Sequence, residues 1–201
     1  MINDANTVKR AVVMADDADS LALAVTRGLR LDGWEFTTAQ THSGDVDGVV
    51  YLPGRLFCAA DDRDADPAGE LIDLLDRMRP RFGVRGARVV AVSTRDWLGW
   101  PDRPRSAAAS AALIAAVRSL ALAHGRAGIT VNAVVSMRAV ESDAPAPGTR
   151  LRDPRPLTGD PVDDEDVAAA VAFLLDPRSA YITGQVLQCC GGSSLLSSMS
   201  A

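Results

Sequence analysis

At 201 residues the chain is long enough to bury roughly 70% of the surface its unfolded form exposes, and residues 1–201 read as one domain. Hydrophobic residues make up 47% and charged residues 23%, the balance of a globular protein, and a net charge of −5 argues against a basic face for nucleic acid or anionic membrane. Cys58, Cys189 and Cys190 have no C-x-x-C spacing and no even count. A disulfide framework or a cysteine-bound metal is therefore not expected, and a reducing cytoplasm is. The opening residues carry no apolar run after their charges, so no signal peptide is expected, and no stretch of about 18 apolar residues suggests a membrane span.

In chain order, residues 8–14 (VKRAVVM) form a β-branched run, predicted as a buried strand. A helix is predicted over 20–31, with Leu21, Leu23, Val25, Leu29 and Leu31 on its apolar face. Asp16, Asp17 or Asp19 can cap this helix, and Gly33 suits its exit. Strands are predicted at 34–38 and 47–52, with only a short polar link between them. Residues 59–68 read as a solvated acidic loop, and 70–78 as an amphipathic helix with Leu71, Ile72, Leu74 and Leu75 inward. A buried strand at 87–93 is followed by an alanine-rich helix at 105–124 and a strand at 129–135. The proline-rich stretch 137–163 reads as loop; a helix at 165–175 opens on an acidic run that suits its dipole, and 185–188 is the last strand. Strands alternating with helices imply a parallel sheet covered on both faces, a doubly wound α/β fold.

The segment SAAASAALIAAVRSLALAHGRAGITVNAVV (106–135) resembles the active-site helix and following strand of the short-chain dehydrogenase/reductase family, near its ketoacyl-reductase branch. ARVVAVS (87–93) is similar to the family strand that ends in the catalytic serine, at Ser93. DVAAAVAFLLDPRSAYITGQVLQCCGG (166–192) is similar to the C-terminal signature, with Thr183, Gly184, Gln185, Gly191 and Gly192 in place. The resemblance implies a Rossmann-like fold, and it gives Asn132 a structural role.

Against this likeness the functional positions depart. The family's Tyr-x-x-x-Lys becomes Ser106 and Ser110. Reduction of a ketone needs a phenolic acid and a nearby ammonium, and neither serine supplies them. The glycines of the phosphate-binding turn become Ala15, Asp19 and Leu21, so carboxylates stand where a diphosphate would lie, and like charges there repel. The family's N-A-G turn reads Leu52-Pro53-Gly54, and its nicotinamide-touching Pro-Gly reads Ser136-Met137. The helix–strand–helix that normally follows the second strand has no room in the sequence, so an edge strand and the adenine wall are expected to be missing.

These losses imply a chain that binds no NAD(P) itself and transfers no hydride; of the catalytic positions Ser93 alone is kept. The expected role is a non-catalytic, cytoplasmic subunit pairing through 67–79 and 105–124, either with itself or with an intact reductase that holds NAD(P). This resembles the paired oxidoreductase subunits of aminocoumarin-antibiotic pathways, which act on carrier-bound β-hydroxy acyl groups. The alternatives are a repurposed non-redox enzyme (cyclase, dehydratase or isomerase) and a ligand-binding domain. Residues outside this scheme have simpler readings. His124 is a helix-end residue and His42 a turn residue. Cys189 and Cys190 are small packing side chains, and Trp97 and Trp100 line a pocket or a subunit contact. The two histidines and three cysteines have no metal-ligand spacing.

Overall fold

The computed structural model describes residues 9–14, 20–37, 44–54, 66–99, 103–136 and 156–196. Its elements in order are β1 (Lys9–Met14), α1 (Ser20–Leu31), β2 (Trp34–Thr37), β3 (Gly48–Tyr51), α2 (Pro67–Met78) and β4 (Arg88–Thr94). There follow α3 (Pro104–His124), β5 (Thr130–Ser136), α4 (Asp164–Leu175), β6 (Val186–Cys189) and the short α5 (Ser193–Leu196). The strands form one sheet in the order β2-β1-β3-β4-β5-β6, every neighbouring pair parallel. This is the doubly wound architecture expected. β2 ends at Thr37 and β3 begins at Gly48, a gap too short for helix, strand and helix, so β2 is the sheet edge among the described residues.

Val89–Val92 of β4 and Val131–Val135 of β5 are buried throughout. Continuous apolar runs of this kind form where both faces of a parallel sheet are covered. On one face α2 and α3 bring Leu71, Leu74, Leu113 and Val117 against Val89, Ala91 and Val135. On the other, α1 and α4 set Leu21, Val25, Val167 and Val171 against Val50, Val92 and Val134.

Three residues expected inside lie outside: Leu23, Leu31 and Ile72 are 69%, 84% and 41% exposed. The helical period explains them. The inward stripe of α1 runs through Leu21, Ala24, Val25 and Leu29, and that of α2 through Leu71, Leu74, Leu75 and Met78, leaving the other three off the stripe. The acidic loop also ends sooner than its composition suggests. Pro67 and Ala68 already belong to α2, whose N-cap Asp66 accepts a hydrogen bond from the Gly69 amide at 2.9 Å. Proline suits that first turn because its missing N–H has no partner to lose.

Apolarity misleads at α3 as well. Pro104–Ala127 is long and apolar enough to pass for a membrane span, against the sequence reading. Leu113, Ile114, Val117 and Leu120 nevertheless pack into the core, which accounts for one side of the helix. The starts of β4 and β5 are held together by a close backbone approach. A Cβ on Gly86, at φ +76°, would meet the Gly128 carbonyl oxygen at 2.1 Å. Farther along, Asn132 cross-links the sheet: its Nδ2 donates to the Ile182 carbonyl at 2.8 Å, and its Oδ1 accepts from the Gln185 amide at 3.0 Å.

Candidate functional site

The carboxyl ends of β4, β5 and β6 carry the positions singled out in the sequence. Register sets Ser93 beside Val135 and Val135 beside Gln188, and Thr94 beside Ser136 and Ser136 beside Cys189. Ser93 is fully buried and its hydroxyl donates a long hydrogen bond, 3.5 Å, to the Ser110 carbonyl. Ser110 is equally buried, and its hydroxyl shares a 2.7 Å hydrogen bond with that of Thr94. Ser106 is half-buried on the first turn of α3. Ser93 and Ser110 therefore meet, enclosed, at one seam between β4 and α3.

An ion pair that carries no motif latches the loop across this seam. Arg103 Nη2 lies 3.0 Å from Asp96 Oδ1, and Asp96 is only 8% exposed. Trp97, in the turn beside them, packs against the α2–α3 core. Sequence reading missed Thr94, Asp96 and Arg103, since nothing in their spacing foretells a contact made by folding α3 back onto β4.

At the opposite side of the sheet Leu21 is fully buried in the α1–α4 core. Ala15 and Asp19, with Asp16 and Asp17, lie outside the described residues, as do Met137, His42, Trp100 and Cys58. After β3, Leu52 and Pro53 are buried and Gly54 half-buried. Tyr51 donates from its Oη to Glu70 Oε2 at 2.6 Å, tying the end of β3 to α2. His124 is the last residue of α3.

The vicinal cysteines differ in chemistry. Burial pushes the Cys189 thiol up to about 11, helped by Asp166, Cys190 and Asp163. Burial acts on Cys190 in the same sense, but hydrogen bonding outweighs it: Ser194, at 3.2 Å from Sγ, and the Ser193 and Gly192 groups hold this thiol below its ordinary value. Cys190 is 2% exposed, in keeping with a packing role. Among the described residues no three His, Cys, Asp or Glu side chains converge as a metal site would require.

A doubly wound parallel sheet with helices on both faces is a Rossmann-like α/β architecture. Residues 70–194 match the profile of the family described as enoyl-(acyl carrier protein) reductase, and the chain belongs to the short-chain dehydrogenase/reductase family. Two similar proteins of Thauera aromatica are subunits BbsD and BbsC of (2S)-[(R)-hydroxy(phenyl)methyl]succinyl-CoA dehydrogenase. BbsD is 36% identical over 111 residues, covering 54% of this chain and 45% of the relative. BbsC is 40% identical over 117 residues, covering 56% and 45%. The chain thus spans about half the length of these relatives. In fold it is similar to the enoyl-(acyl-carrier-protein) reductase of Anaplasma phagocytophilum, solved with NAD, at a TM-score of 0.70 over 93% of this chain and 92% of that one, with 15% identity.

On the register read from the sequence, the residues do not fit that cofactor. Ser110, read at the place of the family lysine, has its buried hydroxyl engaged by Thr94, and Ser106, read at the tyrosine place, is an aliphatic alcohol. No ammonium stands there to bind a ribose hydroxyl or to acidify a phenol.

Proposed function

We propose that this chain is the non-catalytic member of a pair of short-chain dehydrogenase/reductase chains, its partner being an intact oxidoreductase that holds NAD(P). The observation that carries this reading is the closed seam between β4 and α3. Ser93 and Ser110 are fully buried and spend their hydroxyls on that seam, so neither reaches a substrate carbonyl. The pair acts in the cytoplasm on a carrier-bound hydroxyacyl or ketoacyl group in secondary-metabolite (antibiotic) biosynthesis, and residues 1–201 make one domain.

Support for pairing comes from the outer surfaces of α2 and α3. Ala108, Ala111, Ala112, Ala115 and Leu122 of α3 are exposed, as is Ile72 of α2. A helix apolar on nearly every side buries its outer face against something else. Small side chains let a facing helix approach closely. BbsC and BbsD, both similar to this chain, are separately named subunits of one dehydrogenase, which is the kind of assembly proposed.

Titration of the isolated chain with NADH tests the first half. No enhancement of the reduced nicotinamide fluorescence is expected, and saturable enhancement at micromolar protein sinks the reading. Co-expression with an intact reductase from the same host tests the second half: the two chains are expected to purify in a fixed ratio. Turnover of any substrate by the isolated chain without nicotinamide would instead identify it as a non-redox enzyme.

A further inference from the structure

A concave site lies at the other end of the sheet, away from Ser93. The amino ends of β1 and β2 and the carboxyl half of α4 bound an open cleft of about 710 Å³, within the roughly 300–1,000 Å³ of small-molecule sites. Parallel α/β folds bind their cofactors at the carboxyl ends of the strands, so this cleft is no remnant of a dinucleotide seat.

Its chemistry is of two kinds. Ala169 and Ala172 give a floor of small side chains, and Trp34, Phe173 and Ile182 give apolar walls. The Phe173 ring keeps 51% of its surface exposed. The charged groups at the rim are not equivalent. Asp176 and Arg178 are committed to each other, by Nε–Oδ1 at 3.0 Å and Nη2–Oδ2 at 2.7 Å. Lys9 and Asp32 make no hydrogen-bonded pair of this kind, though Lys9 attracts Asp176 and Asp32 attracts Arg178 through space. The Lys9 ammonium rests over the Trp34 ring, 5.5 Å from its centroid, with its N–H donors unspent among the described residues. The Asp32 carboxylate feels Arg178 but accepts no hydrogen bond from a described residue.

We propose that this cleft binds a small aromatic zwitterion of the α-amino acid type, its carboxylate on Lys9, its ammonium on Asp32 and its ring against Phe173 and the alanine floor. A simple anion would answer Lys9 and meet two aspartates, and a simple cation would answer Asp32 and meet Lys9. Only a ligand carrying both signs satisfies both side chains while its ring covers the apolar surface. The inference is independent of the subunit reading above.

Lys9 is the only lysine in the chain, so lysine-selective isotope labelling yields one side-chain NMR signal. Titrating the whole labelled chain with L-phenylalanine is expected to shift that signal saturably. Phenylacetate and phenethylamine each lack one charge and should bind at least about tenfold more weakly, as loss of a charge-assisted hydrogen bond requires. Asp32→Asn should weaken L-phenylalanine by a similar factor and leave phenylacetate no weaker. Ala169→Leu, at an exposed position that tolerates the larger side chain, should abolish the shift with the circular dichroism spectrum unchanged. A Lys9 signal unmoved at millimolar L-phenylalanine overturns the proposal. So does phenylacetate binding as tightly as L-phenylalanine, or Ala169→Leu binding like the parent chain.

Discussion

Asn132 shows how one side chain can hold two elements together. It is 1% exposed, and its amide bridges the Ile182 carbonyl and the Gln185 amide on the approach to β6. Truncation to alanine removes both hydrogen bonds, each worth about 0.5–1.5 kcal/mol where the backbone partner is partly open to water. Asn132→Ala should therefore lose about 1–3 kcal/mol of unfolding free energy, read from urea denaturation; an unchanged stability contradicts this role. Cys189 supports a different prediction. Burial raises its thiol to about 11, so the reactive thiolate is scarce at neutral pH and grows as pH climbs toward that value. Alkylation followed by peptide mass spectrometry should find Cys189 unmodified at neutral pH and labelled only in alkaline solution. Rapid labelling near pH 7 would refute the shift.

Asn132 and the glycines after β6 were legible as family positions, because a chain turn or a buried amide tolerates few replacements. Ser93 was legible too, but its use was not. Sequence left open whether it donates to a carbonyl or merely ends a strand. In the fold its hydroxyl faces the Ser110 carbonyl, a contact no motif spacing foretells.

Among the elements, α4 is the one most completely specified by local chemistry. Asp163 accepts from the Asp166 amide at 2.9 Å, and the Asp166 side chain accepts from the Asp163 amide at 3.2 Å, a reciprocal capping box. Asp164, Glu165 and Asp166 also place negative charge at the positive end of the helix. Asp163→Ala should cost about 1 kcal/mol, seen as a lower denaturation midpoint with unchanged slope. An unchanged midpoint would show that packing of α4 on α1 alone holds this end.

Helix and strand bounds were read to within about three residues because apolar period and cap residues act locally. Which face each apolar residue takes was read less well. Leu23, Leu31 and Ile72 are apolar but off the inward stripe, and composition alone cannot say how wide the covered stripe is. The latch between Asp96 and Arg103 shows the same limit for charges.

For the whole molecule, the question is what covers the alanine face of α3. Ala115 is exposed there, and glutamate is a good helix former, so Ala115→Glu should leave the fold intact. It should nevertheless break association, since a charge in a close helix contact is desolvated without a mate. Size-exclusion chromatography with light scattering of the chain co-expressed with an intact reductase should show the paired species for the parent and only separate chains for the variant. An equally stable pair with parent and variant would remove this face from that assembly.

The sequence by itself determined the order and type of the main elements, the parallel sheet and the family. These follow from period, capping and motif spacing, which are properties of neighbours along the chain. Only the tertiary structure decided that Ser110 is engaged by Thr94, that Asp96 and Arg103 latch the seam, and that Lys9, Asp32 and Phe173 share one cleft. Such contacts join residues on different elements, and sequence spacing carries no record of them until the sheet and its covering helices bring them together.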